Sequence, residues 1–276
     1  MGKHKAITGG KPRLAGGMIL GAVASGAMAV ASLSGAGVAN ATCASISGIS
    51  IGGGANCSST VTSTAIGLGT NASAFSSGLL NTAVSVGTNA NANAEGALNT
   101  SLAVGKNAYA YSYGSLSLTA AVGEGADARA GYYTGDVFNT AIAVGKNSVA
   151  SANSDGPLQP IEVPPAAGFG NLAVSLGEGN KAYAIGGLNA ATSVGGKNNT
   201  AFAAGVANAA TNLGGSNNFA SATGGTGLTK PGLNNAFNVG GKGNLASASG
   251  GPFAIAGNVG GTGKNTVRTT TGVTVK

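Results

Sequence analysis

The chain has 276 residues and no Trp, with only 7 Phe and 6 Tyr. Charged residues make up 8 % of it, and the mean hydropathy is +0.23. So few large side chains exclude a conventional core filled by aromatics. So little charge excludes a coiled coil, and an apolar average excludes charge-driven disorder. The single His is His4. It lies in a basic N-terminal segment, so the rest of the chain cannot build a Ser-His-Asp or Cys-His nucleophile, nor most zinc sites. The 7 acidic residues are scattered, and Glu124 and Asp127 are the only close pair in sequence. They are the only candidates for a paired-carboxylate hydrolase acting on polysaccharide. The stretch Gly260 to Lys264 imitates a phosphate loop, but Asn265 stands where Ser or Thr is required. The sequence therefore predicts no enzyme, no cofactor and no metal.

What is abundant is Gly, 51 residues, far above the usual ~7 %. It does not recur at every third position, so collagen is excluded. The N-terminus reads as an export signal. Lys3, Lys5, Lys11 and Arg13 precede an apolar run from Leu14 that ends in the small-x-small site Ala39-Asn40-Ala41. Cleavage between Ala41 and Thr42 is predicted, leaving no stable membrane span and placing the protein outside the cell or at its surface. Removal of those four cations takes the formal net charge of +7 to about +3, so the basic balance is no argument for nucleic acid. Cys43 and Cys57 follow the cleavage site, and in an exported chain the pair predicts a disulfide closing an N-terminal cap over 42–60.

The body is an internal repeat over 61–265. Ten segments end an apolar run on a Gly: 69, 87, 105, 123, 145, 177, 195, 214, 240 and 260. Their spacings are 18, 18, 18, 22, 32, 18, 19, 26 and 20. Before each Gly, larger apolar residues such as Val84 and Val86 alternate with Ala, Ser or Asn. After it comes a short turn and a second alternation, as in Ala90, Ala92 and Ala94. Period two means strands. Each unit is strand, turn, strand, turn, and neither strand can bury its face alone. Stacking predicts an all-β parallel β-solenoid of about ten two-strand coils with a base period of 18. Val and Leu of the first strand are expected to face Ala of the second in a thin interior. Asn81, Asn99, Asn139, Asn171, Asn189, Asn208 and Asn234 occupy one repeat position and predict an amide ladder. Lys106, Glu124, Lys146 and Glu178 make a column of alternating sign. Segment 266–276 is expected to be an irregular strand that blunts the far edge, with Arg268 and Lys276 opposing pairing.

Segments such as Asn99 to Gly114 resemble the head repeats of trimeric autotransporter adhesins, with YadA-like heads. The resemblance implies a left-handed β-roll, a trimer, and binding to host matrix protein or glycan. The signal, the early Cys pair and the Ala/Gly-rich array are also similar to small exported actinobacterial proteins of unknown function.

Two irregularities point to function. The spacing of 32 holds a Pro-rich insertion at about 150–169, which must leave the stack because Pro cannot donate to a ladder. Tyr109, Tyr111 and Tyr113 alternate along one strand, Tyr132 and Tyr133 follow near the next coil, and Phe75 falls in the same column two coils away. This strip is the candidate contact surface for a glycan, a matrix protein or a second subunit. The reading is an exported structural or adhesive module. Binding of ice or another ordered surface is a further alternative, but it requires a regular Thr array.

Overall fold

The computed structural model describes residues 42–53, 55–133, 135–153, 168–227 and 230–276. Residues 1–41, with the expected signal and Ala41, and the insertion over 154–167 lie outside them; Thr42 opens the first described strand. Among the described residues there is no helix, and so none long and apolar enough to cross a membrane. The chain runs as two stacked, mainly parallel sheets. The first has thirteen strands and the second twelve, and the strands alternate between the two sheets along the chain. This is a β-solenoid of about eleven turns. From Thr64–Leu68 to Gly272–Val275 every pairing in the first sheet is parallel, and all keep a constant register except Leu172–Glu178 with Ala190–Lys197, which shifts by one residue after Leu176.

The interior differs from the expectation in one decisive respect. Val and Leu do not fill it. Along Thr82–Val86 the buried residues are Ala83 and Ser85, while Val84 and Val86 point outward and are half-buried by their column neighbours. The same holds along Thr140–Val144, where Ala141 and Ala143 are fully buried. The opposite sheet contributes Ala90, Ala92 and Ala94, also fully buried. The physical reason is spacing. Two sheets lined by methyl groups approach too closely to admit a branched side chain, and close packing leaves no free volume to accommodate one. Inward positions hold only small residues or Asn, whereas outward positions vary in size from Gly257 to Phe237. The largest fully buried side chains are all asparagines.

Those asparagines satisfy the corner backbone. Asn81 Oδ1 accepts from the Asn99 amide at 2.7 Å, and Asn81 Nδ2 donates to the Gly96 carbonyl at 2.8 Å. Asn171, Asn189 and Asn208 repeat the pattern into Asn234. The ladder thus runs mainly from side chain to the next coil's backbone. Ser117 takes the ladder position in one coil, its backbone amide donating to Asn99 Oδ1 at 2.8 Å. Two further ladders escaped the sequence reading. Asn180, Asn199, Asn218 and Asn244 line the other corner. Asn212, Asn238 and Asn258 stack inside the last coils, amide to amide at 3.0 and 2.9 Å. Their signal was present, since each stands two residues before an anchor Gly.

The anchor glycines from Gly69 to Gly177 are required by contact, whereas a Cβ at Gly195, Gly214, Gly240 or Gly260 would meet nothing closer than 3.8 Å. Gly87 has φ +127°, and a Cβ there would sit 2.1 Å from the Gly105 carbonyl oxygen of the next coil. From Gly195 onward the corner changes to paired glycines, and the period lengthens to 19 or more. At the other corner the residue before the ladder position also has positive φ, and in seven coils it is large and apolar (Leu80, Leu98, Leu116, Phe138, Leu188, Leu233 and Phe253), while Gly170 and Ala207 stand there in two others. A non-Gly residue in that region costs roughly 1–3 kcal/mol.

Both ends differ from the expectation. The segment 266–276 is not irregular: Asn265–Arg268 and Gly272–Val275 pair in register and complete a further coil. Arg268 donates to the Thr270 and Thr271 carbonyls and so secures its turn. At the N-terminal end, Thr42–Ile46 and Ile49–Gly53 form an antiparallel hairpin that extends the first sheet. Cys57 belongs to Asn56–Ser59, the first strand of the second sheet. The Cys43–Cys57 disulfide therefore ties the two sheets together, with Cα atoms 5.6 Å apart. Gly67 makes room for it, since a Cβ there would lie 2.8 Å from Cys43 Sγ. The insertion is also shorter than expected. Val149–Asn153 is a regular strand, and Phe169 already bridges to its neighbours.

Candidate functional site

The Tyr strip stands on the outer face of the second sheet, on the strand Tyr109–Ser112 and the residue that follows it. Alternation drives Ala110 and Ser112 inward and leaves Tyr109, Tyr111 and Tyr113 outward. Their rings are nearly parallel. Tyr109 and Tyr111 lie 6.5 Å apart at 13°, and Tyr111 and Tyr113 lie 6.1 Å apart at 8°. Phe75 is in the Tyr111 column, with Asn93 between them, as the register expected. It is 40 % exposed.

The next strand supplies charge. Asp127 pairs with Tyr109 and Arg129 with Tyr111 in the register. Arg129 Nε and Nη2 reach the Asp127 carboxylate at 2.9 and 2.7 Å, and the guanidinium sits 5.3 Å from the Tyr109 ring centroid. That hydrogen-bonded pairing raises the Arg129 pKa. On the other side of the strip Asn93 donates to Glu95 at 3.0 Å. Glu95 and Tyr113 line one shallow groove with Gly96 and Ser115. Partial burial, with Glu95 next in importance, pushes the Tyr111 hydroxyl up to about 12. Burial raises Tyr109 and Tyr183 as well. These hydroxyls are held as neutral donors across the physiological range.

Tyr132 and Tyr133 form an edge-to-face pair at 5.1 Å at the end of the strip. Asp136 fixes their turn. Its buried carboxylate accepts from the Tyr132 and Tyr133 amides at 2.6 and 3.1 Å, and from the Gly168 amide. The sequence signal for Asp136 was its position, since it occupies the corner place held by Gly96 and Gly114 in the preceding coils. The aromatic column also continues further than expected. Beyond Arg129 and Ser151 it reaches Tyr183 and Phe202, which pack with Val149, Ile185 and Ala204. The insertion obscured that register in the sequence.

The structure does not bring Glu124 and Asp127 into one arrangement. Glu124 pairs with Lys146 at 3.6 Å in the corner column, while Asp127 is held by Arg129 on the sheet face. The corner column gives one more pair, Glu178 with Lys197 at 2.7 Å. That contact lowers the Glu178 pKa and raises that of Lys197. Among the described residues no three His, Cys, Asp or Glu side chains cluster as metal ligands would. An ordered Thr array is not formed either. The column through Thr64, Thr82, Thr100 and Thr140 is interrupted by Leu118 and continues as Leu172 and Ala190.

No family model, no curated protein and no solved structure matches this chain.

Proposed function

We propose that the protein is a non-enzymatic structural or adhesive module, exported to the cell surface or beyond it, that engages an extracellular glycan or matrix protein through the Tyr strip. The observation that carries this reading is the row of three parallel tyrosines with the Arg129–Asp127 pair against it. Aromatic surface supplies contact area at low entropic cost, and neutral hydroxyls and fixed charges beside it supply directional bonds. The scaffold holds the strip rigidly, because Tyr109 and Tyr111 are rooted on a strand hydrogen-bonded on both sides and the Tyr113 amide donates to the Ala130 carbonyl at 2.8 Å. The resemblance of the repeats to adhesin heads supports the same reading, as does the signal-like N-terminus. A panel of matrix proteins and glycans tests it, with wild type and with Tyr109, Tyr111 and Tyr113 each changed to Ser. Glycan or matrix binding weakened at least tenfold by the triple change is expected. No binding, or binding indifferent to the change, refutes it.

A further inference from the structure

The two outer faces differ sharply in charge. The second sheet carries Glu95, Asp127, Arg129 and Lys181 on its strands. The described strands of the first sheet carry only Glu178 and Lys197, which pair with each other at the corner ends of their strands, beyond the five residues of each that line the face. Its outward positions are Val, Leu, Ile and Thr in most coils. No described element packs over this face. Ile49 and Ile51 at its end are 69 % and 68 % exposed. Along its edge runs the ridge of Leu and Phe residues held at positive φ. The opposite corner meets the same backbone demand with Asn89, Asn107 and Asn147, residues that tolerate it well. Apart from Gly170 and Ala207, the ridge thus retains large apolar side chains where Asn or Gly would relieve strain.

We propose that this face is the interface between two copies of the chain, packed first sheet against first sheet. The dimensions fit. Eleven parallel strands at about 4.8 Å, each about 17 Å long over five residues, present about 900 Å². A stable interface takes about 800 Å² per partner, and the largest apolar patch of an ordinary monomer is about 300–600 Å². A face without charge has no complement to offer a charged partner and no repulsion against its own copy. A flat β surface is self-complementary about a two-fold axis, at the sheet-to-sheet distance of a sandwich. In that dimer the two Tyr strips lie on opposite outer sides, so the assembly presents its contact surface twice. The inference stands on the first sheet alone and does not depend on the reading of the strip.

Sedimentation equilibrium of the purified protein tests it. Wild type is expected at twice its single-chain mass, which is 25.8 kDa for the full 276 residues and correspondingly less once residues 1–41 are removed. Val104→Lys with Val144→Lys should return it to the single chain mass, raising the dissociation constant about 100-fold or more, with the strand signal in circular dichroism unchanged. Asn91→Lys on the second sheet should leave the dimer intact. If the double variant loses its strand signal, Val144→Cys decides: a short bifunctional maleimide should join two copies through it and should not do so through Asn91→Cys. A wild type that stays at single chain mass overturns the proposal, and so does one that does so while adsorbing to phosphatidylcholine vesicles. A dimer indifferent to the lysines, or crosslinked equally at both cysteines, overturns it too.

Discussion

Replacing Asn189 by Ala should remove three bonds at once. Asn189 Nδ2 donates to the Ile185 carbonyl at 2.6 Å and to the Gly205 carbonyl at 2.7 Å, and its Oδ1 accepts from the Asn208 amide at 2.9 Å. Asn189 is 1 % exposed and Asn208 2 %, so water does not replace what is lost. Each bond contributes about 1 kcal/mol net, and the orphaned buried amide adds about 1–3 kcal/mol. The expected loss is about 4–6 kcal/mol. Asn71 is the comparison. It is exposed at φ +54° and makes one bond to Asn89 Oδ1 at 3.2 Å. Asn71→Gly keeps the backbone conformation and should change stability by less than about 0.5 kcal/mol. Urea titration followed by far-UV circular dichroism compares the two. Hydrogen exchange adds a local readout, since the Asn208 amide should lose protection in Asn189→Ala. A loss below about 1 kcal/mol, or one equal to that of Asn71→Gly, would refute the view that the ladder holds the corner.

Reduction of Cys43–Cys57 should lower the melting temperature. A loop with a separation of 14 residues is worth about 3 kcal/mol, or about 6–12 °C in a cooperative unit of this size; an unchanged melting point would deny the disulfide its role in tying the sheets. Alkaline titration at the tyrosinate band should show Tyr111 ionising at about 12, with Tyr109 and Tyr183 also above the ordinary value. A raised folded pKa means the stabilising contribution is complete below the unfolded value near 10 and is lost as pH climbs through about 12. Stability should therefore fall across that window, and a single titration of every Tyr near 10 would contradict the packing of the strip.

The coil architecture was legible because alternation and the spacing of 18 both survive in sequence. The direction of each strand's buried face was not. Val84 and Val86 are larger and more apolar than Ala83 and Ser85, and hydrophobicity alone assigns them inward. What decides the matter is the opposite sheet, whose Ala90, Ala92 and Ala94 set a gap that only another small residue can share. Size constancy was the better signal: interior columns are confined to Ala, Ser, Thr and Asn between the end coils, and exterior ones wander from Gly to Phe. The strip of Tyr109, Tyr111 and Tyr113 with Phe75 needed only period two and the base spacing, so its column was legible. Arg129 lies at the base spacing, 18 residues after Tyr111, and its column was legible; those of Tyr183 and Asp136 were not, because the lengthened coils on either side of Asp136 shift the register that would have aligned them.

The inverted interior is the claim from which the rest follows, and one pair of substitutions on the strand Thr140–Val144 tests it. Ala143 is fully buried and Ile142 faces outward. Thermal melts in dilute solution should show Ala143→Leu lowered by about 3–10 °C through overpacking of about 1–3 kcal/mol, and Ile142→Ser lowered by less than about 3 °C. The reverse order, with Ile142→Ser the damaging change and Ala143→Leu tolerated, would place the branched side chains inside and contradict the account.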